Sequence, residues 1–287
     1  NYKEAVDNFN KAIDKNPYDK EKYNKSILSI SQRLAKSGDK QYKIGEYQDA
    51  LSLYLESVEY YSSFPAVLYR ITNTYQKLND YELAAEFAEK TLIYDATHYK
   101  AMKSLGDIYS KLGNTEKSIS SYNQSIRVNP EYYKAYYSLA KLLKEMGDVD
   151  GALLNLNQAV LINSKYDKAY TLLGVIYSEQ SKLEEAIYNF NKALITDSKN
   201  FQIYFRLAEA YNKSEQYNKA KDAAKESLNR KRNYGGAFFE LGYAELYLCN
   251  KIAAQDSFEK AKKDKNYRKA ANYHLDNLDY LLNEACN

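Results

Sequence analysis

A 34-residue period constrains this chain more than any other feature. Aligned on one small residue, blocks 65–98, 99–132, 133–166, 167–200, 201–234 and 235–268 follow one another without a gap. A fixed period of that size reads as a stacked array of supersecondary units. Block 167–200 shows the internal pattern most fully. Tyr170, Leu173, Gly174 and Tyr177 stand at block positions 4, 7, 8 and 11, and Ala186, Phe190 and Ala193 at positions 20, 24 and 27. Steps of three and four place each set on one face of a helix. Residues 179–183 carry no apolar stripe and read as a turn. The spacing predicts two antiparallel helices per block, each of about 13 residues and roughly 20 Å long.

The columns persist from block to block. Position 7 is Ile71, Leu105, Leu139, Leu173, Leu207 and Leu241; position 8 is Gly106, Ala140, Gly174, Ala208 and Gly242; position 20 is Ala84, Ser118, Ala152, Ala186, Ala220 and Ala254. Small residues at 8 and 20 let the two helices of a pair pack at the close end of the usual range of ~8–10 Å. The large residue at position 24 (Phe190, with Tyr54, Tyr122 and Phe258) is expected to face the next pair and fill the gap between repeats. Thr72, Glu245, Ala88 and Ala224 depart from their columns, and looser packing is expected there.

This pattern resembles the tetratricopeptide repeat, with an aromatic at 4, Leu at 7, a small residue at 8, Tyr at 11, Ala at 20, an aromatic at 24, Ala at 27 and Pro at 32. Leu105, Gly106, Tyr109, Tyr122 and Pro130 match it in one block, and the seven residues of block 167–200 in another. The resemblance covers nearly the whole chain. It implies an all-α fold, a right-handed α-solenoid (superhelix) of tandem antiparallel helix pairs. Outside the six tandem units of 65–268, residues 1–17 read as the second helix of a truncated repeat, with Ala5, Phe9, Ala12 and Pro17 at positions 20, 24, 27 and 32. With no initiator Met, the chain reads as a piece of a longer protein. Residues 18–64 read as a repeat whose first helix is extended, about 40 Å long if unbroken, with a break near 37–39 as the alternative. Residues 269–287 read as one C-terminal capping helix, which places Ala271, Leu275, Leu278 and Leu282 on a single face.

Composition removes several function classes. Lys and Arg number 41 against 38 Asp and Glu, without the strong basic excess of a nucleic-acid binder. RNA reading of the kind seen in related helical-pair repeats is therefore disfavoured. No run approaches 18 apolar residues, so no membrane span is expected. The two histidines, His98 and His274, and the two cysteines, Cys249 and Cys286, have neither metal nor redox spacing, and Cys249 reads as an ordinary residue near a helix end. The compartment stays open between cytoplasm and periplasm. Asp148-Val149-Asp150-Gly151 looks superficially like a calcium loop but lacks the other ligands. In the repeat frame it is the turn before a second helix, with Asp150 as N-cap. No catalytic residue, metal or cofactor is expected.

An array of this kind offers a long surface. The family resemblance implies that the first helices line a concave groove, with positions 2, 5, 9 and 12 pointing into it. Carried over, the middle blocks contribute Lys100, Lys103, Asp107, Ser110, Lys134, Tyr137, Lys141, Lys144, Lys168, Thr171, Val175 and Ser178. Six are lysines and one is an acid. The next two blocks add Phe205, Phe239 and Tyr243, expected as an exposed aromatic cluster. The implied partner is a protein or peptide segment with acidic residues and an apolar anchor. Two plainer readings stand beside it: lysine on any solvated helix face of a Lys-rich chain, and burial of Phe239 and Tyr243 under the capping helix. The five-residue carboxylate clamp of some family members would need residues that Ala35, Asp39, Arg70 and Ser104 do not supply; only Lys100 matches, so no chaperone-tail clamp is expected. The function implied is a non-catalytic interaction scaffold, self-association included. It would serve assembly of a larger complex, for which bacterial envelope or motility machinery is an example resting on no residue. The alternative is the targeting region of a larger enzyme.

Overall fold

The computed structural model describes residues 2–286, and every regular element among them is helical. Helix α1 (Tyr2–Lys15) leads through a short 3-10 turn into α2 (Lys20–Ile44), which pairs with α3 (Tyr47–Tyr60). Five further pairs follow: α4 (Pro65–Leu78) with α5 (Tyr81–Tyr94), α6 (Tyr99–Lys111) with α7 (Thr115–Val128), α10 (Asp167–Glu179) with α11 (Leu183–Thr196), α12 (Phe201–Lys213) with α13 (Tyr217–Arg230), and α14 (Gly235–Tyr247) with α15 (Lys251–Ala261); α8 (Tyr133–Glu145) and α9 (Val149–Ile162) stand between α7 and α10 in the chain. First helices start at 65, 99, 133, 167, 201 and 235, one every 34 residues. The chain forms two compact units, one ending at Leu142 and the other starting at Leu143.

The turn inside each pair follows one backbone rule. The residue at repeat position 15 has a left-handed φ in all seven repeats: Gly45, Gly113 and Gly147, and also Asn79, Ser181, Glu215 and Cys249. Position 15 lies at or just past the end of each first helix, where a left-handed residue satisfies the last carbonyls and reverses the chain. Only three of the seven are glycine, which hides this column in the sequence. The second helix is then capped where the residue type allows. Asp80, Asn114 and Asp148 accept from the backbone N–H three residues on, at 3.2, 3.1 and 2.9 Å. The cap of α9 is therefore Asp148 rather than Asp150, because its side chain is the one that reaches the Gly151 N–H.

Packing inside a pair is a matter of matched volumes. A Cβ added to Gly174 would lie 2.6 Å from the Phe190 ring, and one added to Gly38 2.6 Å from the Tyr54 ring. The same apposition joins Gly106 to Tyr122 and Gly242 to Phe258. The position-24 ring thus fills the space above its own pair's glycine, and does not only face the next pair. Where position 8 is larger, position 24 shrinks: Ala208 with Ala224 and Thr72 with Ala88, all fully buried. The departures Thr72, Ala88 and Ala224 do not mark loose packing. Thr72 also returns its hydroxyl to the Leu68 carbonyl at 3.1 Å. Glu245, the other departure, is buried with its carboxylate on Lys221 at 3.1 Å and on the Asn250 amide at 2.7 Å.

At the N-terminal end α2 runs unbroken for 25 residues, about 37 Å. It buries Ile27, Ile30 and Leu34 in one cluster with Val6, with Phe9 and Ile13 alongside. At the C-terminal end the expected single capping helix is two short ones, α16 (Arg268–Asp276) and α17 (Leu278–Cys286). The break lets α17 return to the end of α14. There Cys286 forms a disulfide with Cys249, Cα to Cα 5.9 Å. Cys249 is therefore a bridging residue and not an ordinary helix-end residue; the fold, not the spacing, brings the two together.

Candidate protein-interaction site

In the first unit the candidate residues lie on α6 and α8. Lys100 and Lys134 are exposed, each with its ammonium near the ring that precedes it, 5.8 Å from the Tyr99 centroid and 5.9 Å from that of Tyr133. Tyr99 packs edge-on against Tyr132 at 4.8 Å, which ties the starts of the two helices together. Lys103 is matched differently: its ammonium lies 2.5 Å from Asp107 Oδ2. Asp107 Oδ1 accepts from the Tyr122 hydroxyl at 2.8 Å, so this carboxylate serves the core ring and the surface lysine at once. Burial, with Asp107 beside it, raises the Tyr122 phenol above its ordinary range. Tyr137 is half-buried and Lys141 exposed, one and two turns beyond Lys134 on the same face of α8. His98 caps α6, its Nδ1 accepting from the Ala101 N–H at 3.1 Å. Burial lowers its pKa. What this face presents is positive charge on short helical spacing, only part of it neutralised.

In the second unit the same repeat positions behave differently. Lys144 is paired with Glu179 at 3.0 Å, and Lys168 is exposed. The aromatic cluster is not an open anchor. Phe205 is 5% exposed, packed edge-on against Tyr234 at 5.2 Å and over Gly236. Phe239 meets Phe258, Tyr267 and His274 at 5.7, 5.7 and 5.3 Å, and Tyr243 meets Tyr247 and His274. Tyr267, just before α16, and His274 on it therefore cover these rings. The reason is elementary: the last repeat of a stack must hide its apolar face, and the cap supplies aromatic rings to do so.

Beneath that cluster lies a polar pair the sequence did not signal. Asn212 donates from Nδ2 to the Glu240 carboxylate at 2.8 Å and to its backbone carbonyl at 2.9 Å, while its Oδ1 has no hydrogen-bond partner among the described residues. Burial drives the Glu240 carboxyl up to about 7, against the Asn212 hydrogen bond, which lowers it. One acid among 38 carries no motif that could have marked it.

Among the described residues no helix is long and apolar enough to cross a membrane. A family model described as TPR repeat matches residues 106–147, one described as tetratricopeptide repeat matches 133–166, and one described as the TT21 fifth ARM repeats domain matches 167–278. No curated protein sequence matches the chain. Among solved structures, the C-terminal part of a TPR repeat-containing protein from Cytophaga hutchinsonii is similar with a TM-score of 0.66 at 17% identity, over 84% of this chain and 98% of that one. MamA is similar at 25% identity and a TM-score of 0.50, over 56% of this chain and 95% of that one. YrrB, described as a TPR protein with an unusual peptide-binding site, is similar at 19% identity and a TM-score of 0.51, over 64% and 95%. With first helices recurring every 34 residues, small residues set against rings inside the pairs, and these matches, the chain carries tetratricopeptide repeats, matched by family models over residues 106–166.

Proposed function

We propose that this chain is a non-catalytic protein-interaction scaffold that holds an acidic partner segment against α6 and α8 of its first unit. The observation that carries the reading is the pair Lys100 and Lys134. Both are exposed, and neither ammonium has a carboxylate within ion-pair distance among the described residues. Each ammonium stands near the face of the tyrosine before it, at the outer range of a cation–π contact, which favours that placement of the charge. Lys141 extends the strip, and the Tyr137 ring between it and Lys134 offers the aromatic contact that binding hot spots favour. Lys103 contributes less, because Asp107 already neutralises it. Of the candidates in the second unit Lys168 is exposed, while Lys144, Phe205, Phe239 and Tyr243 are engaged within the fold. The peptide-binding site named for YrrB supports a peptide as the partner's form.

The test is peptide selection against the whole chain, followed by titration of a selected peptide at two ionic strengths. Acidic sequences should dominate, and binding should weaken as salt rises. Lys100→Glu with Lys134→Glu should weaken it at least tenfold at low salt. Selected peptides without acidic residues, bound equally by the variant, would reject the reading.

A further inference from the structure

The second helices of the second unit carry large apolar side chains outward. Leu154 and Leu161 on α9 are 73% and 77% exposed, and Tyr188 and Ile195 on α11 are 58% and 75% exposed. Each pair is seven residues apart, on one face of its helix, and both helices use the same two repeat positions. The next repeat places Asp222 and Asn229 there, so the apolar face belongs to these two helices and not to the repeat pattern. Between α9 and α11 an open groove of about 630 Å³ runs over α10, with Tyr170, Leu173 and Tyr177 along it. Adjacent exposed apolar groups of this size mark a contact surface.

The charges around the groove say what fits it. Glu184 and Glu185 line one end, in the first turn of α11, and both are exposed, with no cation paired to either carboxylate among the described residues. Lys182, their neighbour in sequence, lies 5.9 Å from the Tyr177 ring instead. At the other end of α11 stand Lys192, beside the Tyr188 ring at 5.3 Å, and the exposed Lys199 just beyond the helix. From start to end the outward side chains of α11 are thus acidic, apolar, then basic, the half-buried Asp197 at its C-cap being taken up by the Asn200 amide at 3.0 Å. A two-fold rotation perpendicular to the helix lays acid on base at both ends and apolar on apolar between, the self-complementarity that an isologous contact requires.

We propose that this face seats a second copy of the chain, with the two α11 helices antiparallel. Tyr188 and Ile195 of each copy enter the groove of the other, and Lys192 and Lys199 meet the partner's Glu184 and Glu185. Two helices of roughly 20 Å offer less than the ~800 Å² per partner of a standard interface, so the dimer forms over micromolar concentrations. This surface lies on second helices and is independent of the lysine strip.

Sedimentation velocity of the whole chain across that range tests the proposal. The mass should rise towards twice that of the single chain. Glu184→Lys with Glu185→Lys should stay monomeric, because lysines then face lysines, and so should Lys192→Glu with Lys199→Glu. An equimolar mixture of the two variants should regain the doubled mass, since a mixed dimer is complementary at both ends. All four positions are at the surface, and unchanged helical circular dichroism verifies folding. A parent that stays monomeric, a dimer indifferent to both charge reversals, or a mixture that fails to recover would each overturn the proposal.

Discussion

At the scale of single residues, Glu240 makes the sharpest claim. The fold raises its carboxyl from 4.5 to about 7 by burial. The folded chain therefore holds a proton that the unfolded chain releases, and stability falls as pH rises between those two values. Arg206, Lys213 and Glu209 of α12 face the same carboxyl, and their charges partly cancel. Glu240→Gln should melt higher than the parent near neutral pH, by up to about 3 kcal/mol, and the gap should close below pH 4.5. A gap of the same size at both ends of that range would remove burial as the cause. The matched volumes at positions 8 and 24 are equally testable. Gly106→Ala pushes a methyl into the Tyr122 ring and should cost about 1–3 kcal/mol. Tyr122→Leu alone opens a void, yet the double variant restores the match of a larger residue at position 8 with a smaller one at position 24, as in Thr72 with Ala88. A double-mutant cycle should show favourable coupling of about 0.5–3 kcal/mol; simple additivity would mean the two positions do not share a space. Glu215 stands at φ 60, where glycine is at home. Glu215→Gly should therefore raise stability by roughly 1 kcal/mol in a thermal melt.

At the scale of elements, the C-terminal cap decides how the last repeats behave. Reducing the Cys249–Cys286 bridge releases a span of 37 residues, and loss of that constraint should cost about 2–4 kcal/mol. Hydrogen exchange should quicken first in α16 and α17. Equal protection with and without reductant would show that the cap does not depend on the bridge. Phe205→Ala belongs to the same region. Read from the sequence, it removes an exposed anchor and spares the fold; with Phe205 buried among Tyr234 and Tyr267, it should cost about 3–5 kcal/mol in stability. The difference shows what periodicity can and cannot tell. Repeat spacing says which face of α12 holds Phe205, but not what covers that face, because the cover is a non-repeating segment. The pairing of Cys249 with Cys286 escaped for the same reason, since it depends on a helix break at residue 277. By contrast, the antiparallel pairs, their lengths and their turns followed directly from the columns at positions 7, 8, 20 and 24, where steric demand recurs every 34 residues.

At the scale of the whole molecule, a net charge of +3 conceals the feature proposed to matter most. The lysines were legible as a strip because the repeat frame assigns them one face. Which of them are spent on internal partners was not legible, because ion pairs such as Lys144 with Glu179 join residues 35 positions apart. The central claim is that α6 and α8 receive an acidic segment through Lys100, Lys134 and Lys141. Its most direct measurement is hydrogen exchange of the whole chain with and without a saturating selected peptide. Slowed exchange concentrated in α6 and α8, and absent from the Lys100→Glu, Lys134→Glu variant, is the predicted result. Slowing confined to the second helices, or to α10 through α14, would contradict it.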